Sequence, residues 1–284
     1  MGKRDYCELI AVREGAGFNL CVGFDPDRPK VPKRYFGKLC HPFAAFGCQT
    51  VEATAESALA FKPNIAFFEP EGAEGWRALR EVITYMHQRS PEIPVILDCK
   101  RADIGNTNKG YSEAMFDYFN ADAVTVNPYF GAGAMKPFWE RKDKGVIVLV
   151  RTSNPEAAEM QDVLMADGKP YYTRVARLVS EKWNVNGNCS MVVGATPGCL
   201  EPLELVRQID GEIPILLPGL GTQGGEVEEA FPRAANKEGK RVIANVSRAI
   251  LYADIEGLSH PESMAKVAKS FHDRLAACRK QIAG

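Results

Sequence analysis

The stretch VILDCKRADIGNTN, residues 95–108, runs from an apolar segment suited to a buried strand straight into Asp98, Lys100 and Asp103. Charges are costly where a core strand continues, so their position marks the place where the strand stops and a site built from loops begins. Side chains two positions apart on a strand share a face; Ile96, Asp98 and Lys100 should therefore point one way, and Leu97 and Cys99 the other. Asp103 falls just beyond, in the loop, within reach of its own site or of a neighbour's.

Outward from this segment the same pattern repeats. Short apolar runs rich in β-branched residues occur at 19–25 (NLCVGFD), 60–69 (AFKPNIAFFE), 93–100 (IPVILDCK), 121–128 (ADAVTVNP), 145–153 (GVIVLVRTS), 189–196 (CSMVVGAT), 213–220 (IPILLPGL) and 241–247 (RVIANVS). Helical patterns separate them: in EGWRALREVITYMHQR, Trp76, Leu79, Val82, Ile83 and Met86 keep helical spacing while Arg77, Arg80 and Glu81 turn away. YYTRVARLVSEKW and PESMAKVAKSFHDRLAACRKQ behave alike. Strands alternating with helices argue for a parallel sheet, and eight of them close a (β/α)8 TIM barrel, expected here as a single α/β domain over residues 1–284. Two connections are long: 26–58, a Pro-rich loop followed by an apolar helix, and 154–168, which is either a lid or a plain surface excursion.

Composition narrows the function classes. Of 284 residues, 45% are hydrophobic, enough for a sizeable core, and 35 Lys+Arg against 36 Asp+Glu leave a net charge of −1. Nothing draws the whole molecule toward nucleic acid or an anionic membrane, so an anionic ligand must be caught locally. No run approaches the roughly 18 apolar residues of a membrane span, and the charged N-terminus lacks the apolar core of an export signal; a soluble, cytoplasmic protein is expected. The 8 cysteines form no C-x-x-C pair and read as reduced, mostly buried thiols. The 4 histidines have no H-E-x-x-H or H-x-H spacing, so a histidine-based zinc site is not expected.

A barrel places its chemistry where the strands end. Here the first run ends at Asp25, the second carries Lys62 and Asn64, the third Asp98 and Lys100, the fifth Thr152 and Ser153, and the eighth reaches Ser247 and Arg248. Asp98 and Lys100 could be a local ion pair that merely satisfies buried charge, but three charges crowded together are more often functional. GLGTQG, residues 219–224, matches the dinucleotide fingerprint G-x-G-x-x-G, yet it follows the seventh run rather than the first, and no acidic strand end lies about 20 residues on. In a barrel, the loops after strands seven and eight commonly cradle a phosphate. Gly219, Gly221, Gln223, Gly224 and Gly225 supply such a loop and Arg248 a bidentate fork, which points to a phosphate monoester substrate.

With these motifs in order, the chain resembles the orotidine 5'-phosphate decarboxylase family, in particular its bacterial members of this length. The resemblance runs through GFDPD, FKPNIAFFE, LDCKRADIGNTNKGY, VNPYFG, RTSNP, VVGATP, PGLGTQGG and NVSRAILYA, and D-x-K-x-x-D is its strongest signal. It implies a homodimeric barrel, needing neither metal nor cofactor, that converts orotidine 5'-phosphate to uridine 5'-phosphate and carbon dioxide in pyrimidine synthesis. It implies that Lys100 gives a proton to ring carbon C6, that Asp98 lies beside the departing carboxylate, and that Lys62 completes the charged array. Asp103, with Ile104 and Thr107, would reach across the dimer into the partner's site. Asp25 and Asp103 would hold ribose hydroxyls, Ser153 would read the pyrimidine amide, and Gln223 with Arg248 would grip phosphate. Shorter family members usually carry Gly-Arg where this chain has Ser247-Arg248, and the loop after the fifth strand is longer here.

Two rivals share the scaffold. A related barrel uses a similar D-x-K-x-x-D on a sugar phosphate, with Mg2+ held by the carboxylates; Ser153 and Gln223 favour the pyrimidine substrate instead. A catalytically silent nucleotide-binding protein would not need the complete set of Lys62, Asp98, Lys100 and Asp103.

Overall fold

Each of the eight apolar runs forms a parallel strand in the computed structural model, which describes residues 4–37, 40–221 and 224–284. The strands are β1 (Leu20–Phe24), β2 (Ala60–Pro63), β3 (Ile96–Arg101), β4 (Ala123–Val126), β5 (Gly145–Arg151), β6 (Cys189–Val193), β7 (Ile215–Leu217) and β8 (Val242–Val246). They pair in the order β2-β1-β8-β7-β6-β5-β4-β3. Bridges from Phe61 to Val95 and from Asn64 to Asp98 then join β2 to β3 and complete the ring. Most strands are shorter than the apolar runs that contain them, but β3 continues through Asp98 and Lys100 to Arg101, so the charges lie within the end of the strand and not beyond it. In the second run, β2 ends at Pro63 and the last bridge is at Asn64, whose side chain accepts a hydrogen bond from the Ala66 amide to open a turn over Ile65–Phe67.

Helices cover the outside: α1 (Tyr6–Gly15), α2 (Pro42–Thr54), α3 (Gly72–Arg89), α4 (Gly105–Glu113), α5 (Gly131–Trp139), α6 (Ala158–Gln161), α7 (Tyr171–Leu178), α8 (Leu200–Ile209), α9 (Val227–Ala234), α10 (Arg248–Leu251) and α11 (His260–Ala283). α3 shows why they dock: Ala78, Leu79, Val82, Ile83 and Met86 are fully buried, while Arg77, Arg80 and Glu81 are exposed. Each of the buried Leu, Val, Ile and Met side chains contributes roughly 1.5–3 kcal/mol of transfer free energy, before entropy is subtracted.

Inside the barrel, one residue from each strand in turn builds an apolar floor: Cys21, Ala60, Ile96, Ala123, Ile147, Val192, Leu216 and Ile243. Tyr6 and Ile10 of α1 pack onto that floor and close the N-terminal end, a helix that sequence periodicity did not signal. Its N-cap is nonetheless conventional, with Asp5 accepting from the amides of Cys7 and Glu8. Two positions further along the strands, on the same face, stand Lys62, Asp98, Thr125 and Asn245. The change from floor to mouth is therefore a change from apolar to polar within a single repeat of the pleat.

The first long connection holds two short turns and then α2, whose Phe43, Phe46 and Val51 are buried. The second, after β5, is tied back by Arg151, whose guanidinium donates Nε to Asp162 Oδ1 at 2.7 Å and Nη2 to Oδ2 at 3.0 Å. The Thr152 amide donates to Gln161 at 2.8 Å, while Met160, Val163 and Leu164 remain exposed. Cys21, Cys99, Cys189, Cys199 and Cys278 are buried free thiols, whereas Cys7 and Cys40 are exposed. Among the described residues, no helix is long and apolar enough to cross a membrane.

Candidate active site

The C-terminal mouth of the barrel opens into a cavity of about 360 Å³. Its walls come from most of the strands: Asp25 after β1, Lys62 of β2 and Asn64 just after it, Asp98 and Lys100 of β3, Thr125 of β4, Thr152 and Ser153 after β5, Gly219 and Leu220 after β7, and Asn245, Ser247 and Arg248 at β8. The volume suits a ligand of nucleotide size.

At the base of the cavity Asp98, 8% exposed, is gripped on both oxygens. Oδ2 accepts from Lys62 Nζ at 2.8 Å; Oδ1 accepts from Lys100 Nζ at 2.6 Å and from the Thr125 hydroxyl at 2.8 Å. Burial by itself would raise the Asp98 pKa, but Lys62 and then Lys100 outweigh it and hold the carboxyl well below the usual carboxylate range. Lys62 is 4% exposed. Burial opposes its charge, yet Asp98 and Asp25 together keep the ammonium above its ordinary pKa. The outcome is a fixed, desolvated chain of alternating charge that ends at the half-exposed head of Lys100.

Regular strand alternation does not by itself explain how Lys100 gets there. Between β3 and β4, Leu97 pairs with Val124 and Arg101 with Val126, so three residues of β3 stand opposite Thr125 alone. Lys100 adopts φ 44, a left-handed conformation that a side chain with a Cβ rarely occupies. Strain of this kind is stored where it aims a side chain.

Other polar side chains line the cavity with single oxygen atoms left unpaired. Among the described residues, Asp25 Oδ1 and Asn245 Oδ1 are buried side-chain oxygens with no hydrogen bond. Both residues line the cavity, and a buried acceptor without a partner is uncommon enough to mark them as candidate ligand contacts. Asp25 is held from behind, where the Tyr252 hydroxyl donates to its carbonyl at 3.0 Å and accepts from the Asp27 amide at 2.8 Å. Ser247 stands against Gly23 of β1, where any Cβ would overlap the Ser247 side chain. Arg248, exposed, opens α10. Gly219 and Gly221 have φ 104 and 79, so the turn after β7 requires glycine for its shape, whatever it binds.

The structure thus brings together Lys62, Asp98, Lys100, Asp25, Ser153 and Arg248 around one cavity. It does not bring Asp103, Ile104 and Thr107 into that lining. Asp103 Oδ1 accepts the Ile104 amide at 2.7 Å at the entry to α4, and Ile104 is 63% exposed. Gln223 lies outside the described residues. Sequence reasoning missed Thr125 and Asn245; the available signal was a polar residue two positions beyond an inward apolar one, Ala123 and Ile243 respectively. Among the described residues, no group of three His, Cys, Asp or Glu side chains could hold a metal ion.

Residues 19–257 match the model of the orotidine 5'-phosphate decarboxylase / HUMPS family. A curated orotidine 5'-phosphate decarboxylase of Janthinobacterium sp. (strain Marseille) is 43% identical over 264 residues, covering 92% of this chain and 93% of the relative. Among solved structures, the OMP decarboxylase of Leishmania donovani superposes with a TM-score of 0.84 at 33% identity, covering 97% of this chain and 99% of that one. The UMP synthase of the same organism gives 0.86 at 35% identity; there 97% of this chain matches 57% of the longer protein.

Proposed function

Because the chain belongs to the orotidine 5'-phosphate decarboxylase / HUMPS family, we propose that it converts orotidine 5'-phosphate to uridine 5'-phosphate and carbon dioxide, a step of pyrimidine synthesis in the cytoplasm. The observation that carries the mechanism is the contact chain Lys62–Asp98–Lys100 at the base of the cavity. When the bond from C6 to the carboxylate breaks, carbon dioxide leaves and the electron pair stays on C6, where no ring group delocalises it well. An ammonium already fixed beside that carbon stabilises the developing charge and then transfers its proton, forming the C6–H bond of the product. Lys100 has this role and regains a proton from solvent through the open mouth. Asp98 holds Lys100 in place and faces the departing carboxylate; Lys62 keeps Asp98 ionised.

Asp25 takes a ribose hydroxyl, Ser153 the pyrimidine amide, and Arg248 with the loop that includes Gln223 the phosphate, by a bidentate fork and backbone amides. Phosphate binding far from C6 supplies energy for closing the segment after β5 over the substrate. Asp103, Ile104 and Thr107, outside their own cavity at the exposed start of α4, reach the site of a second copy in a homodimer. The whole chain acts as one barrel domain, and no metal or cofactor takes part.

The test is purified protein with orotidine 5'-phosphate in EDTA, following the ultraviolet change as orotate becomes uracil. Turnover in chelator is the expected result. Activity that appears only with Mg2+, or nucleotide binding without product, would overturn the proposal.

A further inference from the structure

The break in pairing between β3 and β4 leaves two backbone amides without ladder acceptors. A buried N–H without a partner is costly, so its replacement acceptor is informative. Both amides find the same one: Cys99 N and Lys100 N each donate to Thr125 Oγ1 at 3.0 Å. The same hydroxyl is 2.8 Å from Asp98 Oδ1, and Thr125 is 1% exposed, so water does not compete for it. A hydroxyl has two acceptor positions and one proton. With both acceptor positions taken by amides, the proton has a single direction left, toward Asp98 Oδ1, whose ionised state makes the bond charge-assisted. That oxygen also receives Lys100 Nζ at 2.6 Å.

We propose that Thr125 is a positioning residue for the decarboxylation: its hydroxyl fixes the main chain of Lys100 in the left-handed conformation and, through Asp98 Oδ1, fixes the ammonium of the same lysine. One side-chain oxygen thereby locks both ends of the proton donor. Threonine suits the task because its β-branched stem is comfortable in the buried strand β4, where Thr125 stands level with Ile147 of β5. A serine would retain the three hydrogen bonds with more rotational freedom; a valine would retain the shape and lose all three.

The inference rests on the proposed reaction, and two kinds of measurement keep the two separable. Wild type, Thr125→Val and Thr125→Ser are compared for kcat and KM with orotidine 5'-phosphate, for affinity toward uridine 5'-phosphate, and for hydrogen exchange at the Cys99 and Lys100 amides by NMR. Thr125→Val should lose about 10- to 100-fold in kcat, as expected for the loss of a charge-assisted bond and two amide partners. Its affinity for uridine 5'-phosphate should stay within about threefold, because a group that acts on the transition state moves kcat rather than binding. The Cys99 and Lys100 amides should exchange at least about tenfold faster as their protecting bonds are removed. Thr125→Ser should recover most of the rate. Unchanged kcat in Thr125→Val, or equal losses in the valine and serine variants, would overturn the role. If Thr125→Val does not fold, Thr125→Ala is scored by the same criteria. An inactive wild type would refute the reaction and with it a role in that reaction, while amide exchange would still report whether the hydroxyl holds the strand.

Discussion

Asp98→Asn is the most informative single perturbation, because the side chain keeps its shape while losing its charge and one of the two oxygens that accept from Lys62, Lys100 and Thr125. In the native protein that charge answers Lys62 at 2.8 Å and Lys100 at 2.6 Å, with Asp98 8% and Lys62 4% exposed. Removing one partner of a buried pair leaves an uncompensated ion and costs about 3–5 kcal/mol. Asp25 also supports the Lys62 charge, and the half-exposed Lys100 head can hydrate, so the lower end, about 3 kcal/mol, is expected. Urea unfolding of both proteins at pH 7 measures the difference from the midpoints, provided the denaturant slopes agree. The pH dependence adds a sign. The folded Asp98 pKa lies below the unfolded value near 4, so its stabilisation is fully present above about pH 5 and is lost as the carboxyl protonates. The gap between wild type and Asp98→Asn should therefore be constant between roughly pH 6 and 8 and narrow below about pH 4. Lys62 has the opposite sense: its raised pKa gives stability that persists below the unfolded value near 10.4 and fades only at higher pH. A gap under about 0.5 kcal/mol at pH 7, or one that widens in acid, would refute the account of a charge array that holds itself ionised.

Two further substitutions probe the rim. Arg248→Ala should weaken uridine 5'-phosphate binding by about 1.5–3 kcal/mol while leaving uridine affinity unchanged, measured by calorimetry; equal losses for both ligands would remove Arg248 from the phosphate site. Gly23→Ala would drive a methyl group into Ser247 and should destabilise the protein by about 1–3 kcal/mol, with the loss largely recovered in the double variant Gly23→Ala/Ser247→Gly. Thermal denaturation checks this, and additive rather than compensating effects would show that the two residues do not share the space.

Much of the barrel was legible because its signals are local. Every strand lies in an apolar run, most of which end in a polar group, and α3 and α11 carry their buried stripe at helical spacing. Strand alternation correctly anticipated that Asp98 and Lys100 meet, but not the means. The two extra residues opposite Thr125 and the left-handed Lys100 depend on how β3 pairs with β4, a contact between residues 26 positions apart and invisible to any local window. Thr125 looked like an ordinary β-former in ADAVTVNP; its importance lies in which amides the bulge leaves unpaired. α1 escaped because its apolar positions are few, Tyr6 and Ile10 facing the barrel floor amid charged neighbours. Asp103 sits close to Lys100 in sequence and yet outside the cavity lining: it directly precedes Ile104, the N-cap of α4, and its carboxylate accepts from the Ile104 amide.

The most direct test of the central claim is the comparison of wild type with Lys100→Ala, measuring turnover of orotidine 5'-phosphate and affinity for uridine 5'-phosphate on the same preparations. Loss of turnover with product affinity still measurable is the predicted result, since the alanine variant keeps the phosphate loop, Asp25 and Ser153 but has no proton to give C6. Near-normal turnover in Lys100→Ala would contradict the assignment of the proton donor and, with it, the mechanism built on the Lys62–Asp98–Lys100 array.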